Sequence, residues 1–205
     1  MAKKRPTLEE ELGIDPDALL AKYRAERDKR LRRDAQSQYV QMKEAFAHYS
    51  EDPWADSAFS REPLTDEVDI AVVGAGLGGL LLGAHLRKAG VKSIRVIERG
   101  ADFGGVWYWN RYPGVGCDTQ AMLYMPMLEE TGYKPSRKFA KGSELRAHWC
   151  RIARKYDLYR DACFQTEVTG LRWDDRTSRW VISTNRADAI RARFVVIAQG
   201  PLERP

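Results

Sequence analysis

A glycine-rich turn between a strand pattern and a helix pattern constrains this chain more than any other feature. The segment Glu67–Val73 is apolar and rich in β-branched residues, which is typical of a buried strand. The turn GAGLGG at 74–79 follows, and then come a helix pattern at 77–89 and a second strand pattern at 93–97. A strand, a helix and a strand in about 30 residues predict a βαβ unit, whose crossover requires a parallel sheet. The expected fold class is therefore α/β.

Three of the four glycines in this turn each meet a requirement of dinucleotide binding. Gly74 permits the tight turn, Gly76 lets the backbone approach a pyrophosphate, and Gly79 lets the helix pack closely on the strand. A helix that begins at Leu77 presents unpaired N–H groups to the phosphates. Glu98 ends the second strand 24 residues after Gly74, where a carboxylate can accept hydrogen bonds from ribose hydroxyls and disfavours a ribose 2′-phosphate. The alternative is a glycine-rich turn that binds no ligand.

Two observations favour FAD over NAD as the dinucleotide. Gly83 extends the glycine series, a pattern that resembles FAD-binding chains more than simple dehydrogenases. In addition, the segment after Glu98 is a loop rich in aromatic residues rather than an immediate return to a helix. The sequence thus predicts a Rossmann-like, FAD-binding βαβ domain.

Composition narrows the classes of partner. The formal net charge is +5, but basic residues alternate with acidic ones, so nucleic-acid binding is not expected. The three cysteines form no CxxC pair and the three histidines are scattered, so no metal site is expected. Reduced thiols favour a cytoplasmic protein. The N-terminus lacks the apolar core of a signal peptide, and the apolar runs are too short for a membrane span.

Residues 1–65 form a polar, charge-rich extension that ends in a proline-containing linker. Leu19, Tyr23 and Leu31 follow helical spacing in its middle. Such a helical arm packs either on its own domain or on a second subunit, so a homo-oligomer formed through the extension is one expectation. Residues 66–205 are assigned to the FAD-binding domain.

The segment after Gly100 combines a loop, a helix and several strands. It begins with an aromatic, glycine-bearing loop at 104–118. Ser143 has the position of an N-cap for a helix whose apolar residues share one face. Short alternating runs then predict a small β-meander. Its strands are expected at 163–169, 170–173, 180–184 and 192–198.

Three segments carry a resemblance to one enzyme family. The loop FGGVWYWNRYPGVGCD at 103–118 closely resembles the loop that follows the FAD ribose-binding strand of Baeyer–Villiger monooxygenases. The segment at 124–136 resembles members that act on larger or cyclic ketones and carry an N-terminal helical extension. The segment FVVIAQG at 194–200 resembles the exit from the FAD domain toward the NADPH domain. The resemblance runs from about residue 22 to residue 205.

This resemblance implies an enzyme that uses FAD, NADPH and O₂ to insert an oxygen atom next to the carbonyl of a small-molecule ketone, giving an ester or lactone. It also implies an incomplete two-dinucleotide flavoprotein, because the family's second glycine fingerprint does not occur in these 205 residues. The chain is therefore expected to be an N-terminal fragment that is inactive alone. The alternatives are another two-dinucleotide flavoprotein, such as an N-hydroxylating monooxygenase, and a non-enzymatic FAD-binding module.

The resemblance also implies roles for individual residues. Val106–Trp109 would run along the flavin with Tyr124 near it, although such aromatic residues also occur in cores. Val168 would contact the adenine through its backbone. Asp118 would orient an active-site arginine that lies outside this chain; otherwise it is a turn carboxylate. The complete predicted cofactor-binding set is Gly74, Gly76, Leu77, Gly79, Glu98, Arg99, Gly105, Val106, Trp107, Trp109, Asp118, Tyr124, Val168 and Ala198.

Overall fold

The computed structural model describes Glu10, residues 13–38 and residues 43–200. Residues 43–200 belong to one compact unit, and the described residues before them belong to a second. The segment at 43–65 therefore shares a unit with the glycine turn. The domain boundary near residue 65 stays a prediction, and the last residues assigned to the FAD-binding domain, 201–205, lie outside the described residues.

One α-helix, α1 (Pro16–Asp28), forms about half of the described part of the first unit. Asp15 caps its start, because the Asp15 side chain accepts hydrogen bonds from two N–H groups of the first turn. No residue of α1 is buried, and the side chains of Leu20 and Tyr23 are 51% and 62% exposed. Within this unit, the apolar stripe of the extension therefore covers no core. A 3₁₀ helix (Ala35–Gln38) follows.

A six-stranded mixed sheet forms the centre of the second unit. Its strands are β1 (Glu67–Val73), β2 (Ile94–Ile97), β3 (Ala162–Cys163), β4 (Val168–Asp174), β5 (Arg179–Thr184) and β6 (Ala189–Ile197). Their order across the sheet is β3-β2-β1-β6-β5-β4. The strands β3, β2, β1 and β6 are parallel, whereas β4, β5 and β6 form an antiparallel meander. The predicted α/β class, with a Rossmann-like βαβ unit and a β-meander, is confirmed.

Most helices of this unit lie in the two connections between β1, β2 and β3. The crossover from β1 to β2 is α2 (Leu77–Lys88). The second connection contains α3 (Val106–Trp109), α4 (Ala121–Tyr124), α5 (Leu128–Thr131) and α6 (Gly142–Lys155), and 3₁₀ helices lie at Glu44–Ser50 and Tyr159–Asp161. Within the described ranges, no helix is long and apolar enough to cross a membrane.

Apolar residues on the two faces of the sheet form separate clusters. On one face, Val72 and Val96 pack with Leu80 of α2 and Trp149 of α6, and all four side chains are fully buried. The cluster on the other face contains Ala71, Ile97, Ile182, Ile190 and Ala192. Both faces of β1 are thus covered, as in other parallel sheets. This burial explains why the β1 sequence is apolar at consecutive positions.

The predicted start of α6 at Ser143 is wrong. The helix begins at Gly142, and its N-cap is Lys141, which makes no side-chain capping hydrogen bond. The Gly142 N–H donates instead to the carbonyl oxygen of Val115 (2.9 Å), and Gly116 forms a β-bridge with Lys141. A backbone contact with the aromatic loop therefore fixes the start of this helix.

The predicted strands at 163–169 and 170–173 are also wrong in their bounds. β3 ends at Cys163, and the chain then turns at Gln165, whose φ of +48° lies in the left-handed region. β4 runs without a break through Gly170, which marks only a register shift against β5. A bulge or similar irregularity next to Gly170 thus takes the place of the expected strand boundary. The last strand, β6, begins at Ala189 instead of residue 192.

Candidate functional site

The glycine turn lies where the carboxyl ends of three parallel strands meet. The Gly74 N–H donates to the Ile97 carbonyl (2.8 Å), and the Ala198 N–H donates to the Val73 carbonyl (2.7 Å). Gly74 has a φ of +104°, and a Cβ there would lie 2.6 Å from the Ala198 oxygen. Only glycine fits this position, because its φ is unfavourable for other residues and the end of β6 occupies the side-chain space. Ligands of open α/β sheets bind outside this edge.

A second glycine brings α2 close to β1. A Cβ on Gly79 would lie 1.9 Å from the Gly74 carbonyl oxygen and 3.3 Å from a methyl group of Val72. The start of α2 is thus held against the turn, with Gly76 as N-cap and Leu77 as first helical residue. The first N–H groups of a helix have no acceptors within it, and together with the helix dipole they favour an anion at this end.

The aromatic loop begins against the same turn. The Gly104 N–H donates to the Ala75 carbonyl (3.2 Å). Gly105 has a φ of +54°, and a Cβ on it would lie 2.6 Å from the Cα of Gly76. The two glycine-bearing segments, which are distant in sequence, therefore meet backbone to backbone at the start of α2.

Glu98 is buried beside the turn, with 8% of its surface exposed. One carboxylate oxygen accepts a hydrogen bond from the Ala75 N–H (2.6 Å) and the other accepts from the Gly100 N–H (2.7 Å). These bonds fix the carboxylate at the end of β2. Because a carboxylate can accept about four hydrogen bonds, binding backbone N–H groups and binding ribose hydroxyls are compatible roles.

The segment that leads into β4 passes along the backbone of Glu98. The Thr166 N–H donates to the Glu98 carbonyl (2.9 Å), and the Gln165 N–H donates to the Gly100 carbonyl (3.0 Å). Val168 follows at the first position of β4 and is half-buried. The structure therefore brings the chain near Val168 to the strand end that carries Glu98.

Aromatic contacts hold Trp107 in α3. Its indole N–H donates to the Tyr124 hydroxyl (3.0 Å), and the two rings meet edge to face with centres 6.0 Å apart. Tyr124 in turn stacks on the buried Trp149 at 5.9 Å. Burial raises the pKa of Tyr124 above its usual value, so its hydroxyl is neutral at physiological pH. Val106, next to Trp107, is 42% exposed.

The remaining predicted residues differ in their surroundings. The guanidinium of Arg99 lies 4.8 Å from the centre of the Trp109 ring, a cation–π contact at the edge of α3. Asp118 is exposed in the loop before α4. Among the described residues, it forms no hydrogen bond or ion pair, so the structure does not join it to the glycine turn and its role stays a prediction.

The predicted set omitted Tyr108, which organises the aromatic loop. A Cβ on Gly100 or Gly104 would lie 2.9 Å from the nearest atom of the Tyr108 side chain, so these glycines form the slot that it fills. The signal in the sequence is weak. It consists of two glycines four residues apart, followed by an aromatic residue four residues later.

A cavity lies apart from the predicted residues, and the described residues form no metal site. An open cavity of about 390 Å³ is lined by Asp102 and residues of α6, none of which belongs to the predicted set. In the ranges that the structure describes, no group of three or more His, Cys, Asp or Glu side chains could hold a metal ion.

Comparisons with known proteins show what this chain is similar to. Residues 72–141 match the model of an NAD(P)-binding Rossmann-like domain. A Baeyer–Villiger monooxygenase of Streptomyces coelicolor is 52% identical over 92% of this chain and 32% of its own length. The polycyclic ketone monooxygenase of the thermophilic fungus Thermothelomyces thermophila has a TM-score of 0.82 at 36% identity, covering 92% of this chain and 33% of that enzyme.

A further structure, OTEMO in complex with FAD and NADP, has a TM-score of 0.62 at 32% identity and covers 66% of this chain and 26% of its own. The chain spans about a third of the length of the curated relatives it matches. By sequence and by fold, this chain is similar to about a third of the length of these Baeyer–Villiger and ketone monooxygenases.

Proposed function

We propose that this chain forms the FAD-binding part of a flavin-dependent monooxygenase of the Baeyer–Villiger type. The observation that carries the proposal is the meeting of the glycine turn, Glu98 and the aromatic loop at the carboxyl edge of the parallel strands. In the complete enzyme, one oxygen atom of O₂ would be inserted next to a ketone carbonyl to give an ester or lactone, with NADPH as electron donor. The names of the relatives support this activity.

The residues at the turn fit the adenosine diphosphate part of FAD. Gly76 has no Cβ, and the start of α2 directs backbone N–H groups toward the position of a pyrophosphate. Glu98 is fixed by two N–H groups, so ribose hydroxyls would meet a carboxylate that is already oriented. The backbone of Val168, which follows the segment bonded to Glu98, would contact the adenine.

The aromatic loop would hold the flavin end of FAD. Trp107 is fixed by Tyr124, and the exposed side chain of Val106 is available for contact with the flavin ring. Bound FAD supplies the redox chemistry of the enzyme. The residues of this chain would orient the ring and exclude water from one side of it. Asp118 is exposed, so its carboxylate can orient an arginine supplied by another part of the enzyme.

A second candidate function is NAD(P) binding at the same turn, because the matching family model is described in those terms. The buried carboxylate of Glu98 argues against NADPH there, since a ribose 2′-phosphate would bring two negative groups together. Glu98 disfavours only a phosphorylated ribose, and the aromatic loop that begins against the turn favours FAD over NAD. We therefore assign FAD to this turn and NADPH to a different site of the complete enzyme.

The finer proposals concern substrate, location and assembly. We assign a larger or cyclic ketone as substrate, because the similarity to the polycyclic ketone monooxygenase covers 92% of this chain. The three free cysteines agree with a reducing compartment such as the cytoplasm. The exposed apolar residues of α1 would be covered in a homo-oligomer formed through the extension.

The test is binding of FAD to the purified 205-residue protein, measured by calorimetry beside NAD and NADPH. The matched perturbation is Gly76→Ala. Gly76 has a φ of −73°, which alanine tolerates, and the new Cβ would meet only the Cα of Gly105 at 3.4 Å. The variant should therefore fold, while its methyl group occupies the path of the pyrophosphate. The control is Gly78→Ala, whose Cβ would meet only the Cβ of Ala198 at 3.8 Å.

We expect one FAD per wild-type chain, with NADPH binding at least about tenfold weaker. Gly76→Ala should weaken FAD binding by at least about tenfold without changing the melting temperature of the FAD-free protein, whereas Gly78→Ala should bind like wild type. Equal FAD affinity in Gly76→Ala and wild type would show that the turn does not face the phosphates. Tighter binding of NAD or NADPH than of FAD would favour the second candidate function.

A further inference from the structure

Tyr108 lies at the centre of a contact that the proposed flavin site does not use. Its side chain is 1% exposed and fills the slot formed by Gly100 and Gly104. The Tyr108 hydroxyl donates to a carboxylate oxygen of Asp52 (2.6 Å) and accepts a hydrogen bond from the Ala101 N–H (3.0 Å). Burial and the hydrogen bond to Asp52 raise the pKa of Tyr108 to about 12. The hydroxyl therefore stays a donor at neutral pH.

Trp54 and Arg111 complete this contact. The guanidinium carbon of Arg111 lies 4.2 Å from the centre of the Trp54 ring and 4.5 Å from that of Tyr108. The Arg111 Nε also donates to the Tyr108 carbonyl (2.7 Å). Trp54 meets Tyr108 edge to face at 6.1 Å, and the backbone N–H of Trp54 donates to a carboxylate oxygen of Asp52 (3.0 Å). We call the three residues Asp52, Trp54 and Arg111 the clasp.

The clasp and the core hold neighbouring residues of the same short helix. α3 is a single turn, which has little stability of its own, so side-chain contacts decide where it lies. Trp107 is bonded to Tyr124 on the core, and Tyr108 is bonded to the clasp. Successive side chains of a helix point about 100° apart, so these two attachments fix both the position and the rotation of α3.

We propose that Asp52, Trp54 and Arg111 are positioning residues for the flavin-facing loop, so that a segment preceding the glycine turn forms part of the cofactor site. The inference rests on the proposed function, because it takes FAD to lie beside Val106 and Trp107. The hydrogen bonds from Ala75 and Gly100 that fix the Glu98 carboxylate do not involve the clasp. The adenosine end of FAD would therefore stay bound while the flavin ring loses a fixed wall.

The first experiment measures amide hydrogen exchange in the FAD-free protein. Trp54→Leu removes the ring beneath Arg111, and we expect amides 106–110 to exchange about tenfold faster, equivalent to about 1.4 kcal/mol of local opening. Trp54→Phe keeps a ring at this position and should restore slow exchange. The control is Asp161→Asn, which breaks a partly buried ion pair with Arg87 at the opposite end of α2. Unchanged exchange of these amides in Trp54→Leu would overturn the inference.

The second experiment adds saturating FAD and measures the emission of the bound flavin, which contacting aromatic residues quench by electron transfer. A role in stability alone would lower the melting temperature and leave this emission unchanged. We expect higher emission in Trp54→Leu and wild-type emission in Trp54→Phe and Asp161→Asn. If all four proteins bind FAD and show the same emission, the inference is overturned, whereas the proposed function stands. Failure of the wild type to bind FAD would overturn the proposed function and the inference with it.

Discussion

Asp188→Asn is the substitution whose effect on stability the structure defines best. The Asp188 carboxylate is 3% exposed. It accepts hydrogen bonds from both Nη atoms of Arg61 (2.7 and 2.6 Å), the Leu64 N–H (2.7 Å) and the Thr184 hydroxyl (2.6 Å). Arg61 and Leu64 precede β1, whereas Asp188 lies between β5 and β6. The ion pair therefore ties the segment at 43–65 to the antiparallel meander.

The size of the effect on stability follows from the pKa of the Asp188 carboxyl group. Burial alone would raise the pKa of Asp188, but the hydrogen bonds from Arg61, Thr184 and Leu64 outweigh it and lower the pKa from 3.8 to about 2. This difference corresponds to about 2.5 kcal/mol of stability. Because the pKa is lower in the folded state, the stabilisation is complete above about pH 5 and is lost as the pH falls toward about 2. By pH 3, about 1 kcal/mol of it is gone.

Urea unfolding followed by tryptophan fluorescence measures this effect. At pH 7 we expect Asp188→Asn to lower the free energy of unfolding by about 3 kcal/mol, because Arg61 loses its charged partner. The difference in the free energy of unfolding between wild type and variant should shrink by about 1 kcal/mol at pH 3. The control Asp175→Asn, at an exposed carboxylate in the turn from β4 to β5, should change stability by less than about 0.5 kcal/mol. A difference in unfolding free energy that stays constant between pH 7 and pH 3 would refute the reasoning.

Three further substitutions test the site and its supports. Glu98→Gln removes the charge that would bind the ribose hydroxyls, so the FAD dissociation constant should rise about tenfold in calorimetry; an unchanged constant would remove Glu98 from the site. Gly79→Ala places a Cβ 1.9 Å from the Gly74 oxygen, so urea unfolding should show a loss of about 2 kcal/mol or more, and equal stability would contradict the close packing of α2 on β1. Tyr108→Phe should remove one tyrosine that ionises near pH 12 in an absorbance titration; the same number of late-ionising tyrosines in both proteins would contradict its burial.

The βαβ unit could be predicted from the sequence because its determinants are local. The apolar run of β1, the glycine turn and the helix pattern of α2 lie within one short stretch, and a parallel pair requires a crossover. Glu98 could be placed at the edge of the sheet because a strand end fixes its position. The bounds of β3 and β4 could not be predicted. The chain turns between these strands at Gln165, which has a left-handed conformation and whose N–H donates to Gly100, a residue distant in sequence.

The contacts of the segment at 43–65 could not be predicted for the same reason. Asp52 and Trp54 resemble ordinary linker residues, since an aspartate before a proline is typical of a turn. Their partners, Tyr108 and Arg111, lie more than 50 residues away in sequence. No periodicity links the two segments. The clasp becomes visible only when the fold brings them together.

Among the contacts of the segment at 43–65, two connect it to different parts of its own unit. The pair Arg61–Asp188 fixes it to the meander, and the clasp fixes it to α3. The similarity to the polycyclic ketone monooxygenase covers 92% of the chain, more than residues 66–205 can supply, whereas the similarity to OTEMO covers 66%. The former match therefore includes part of the region before β1.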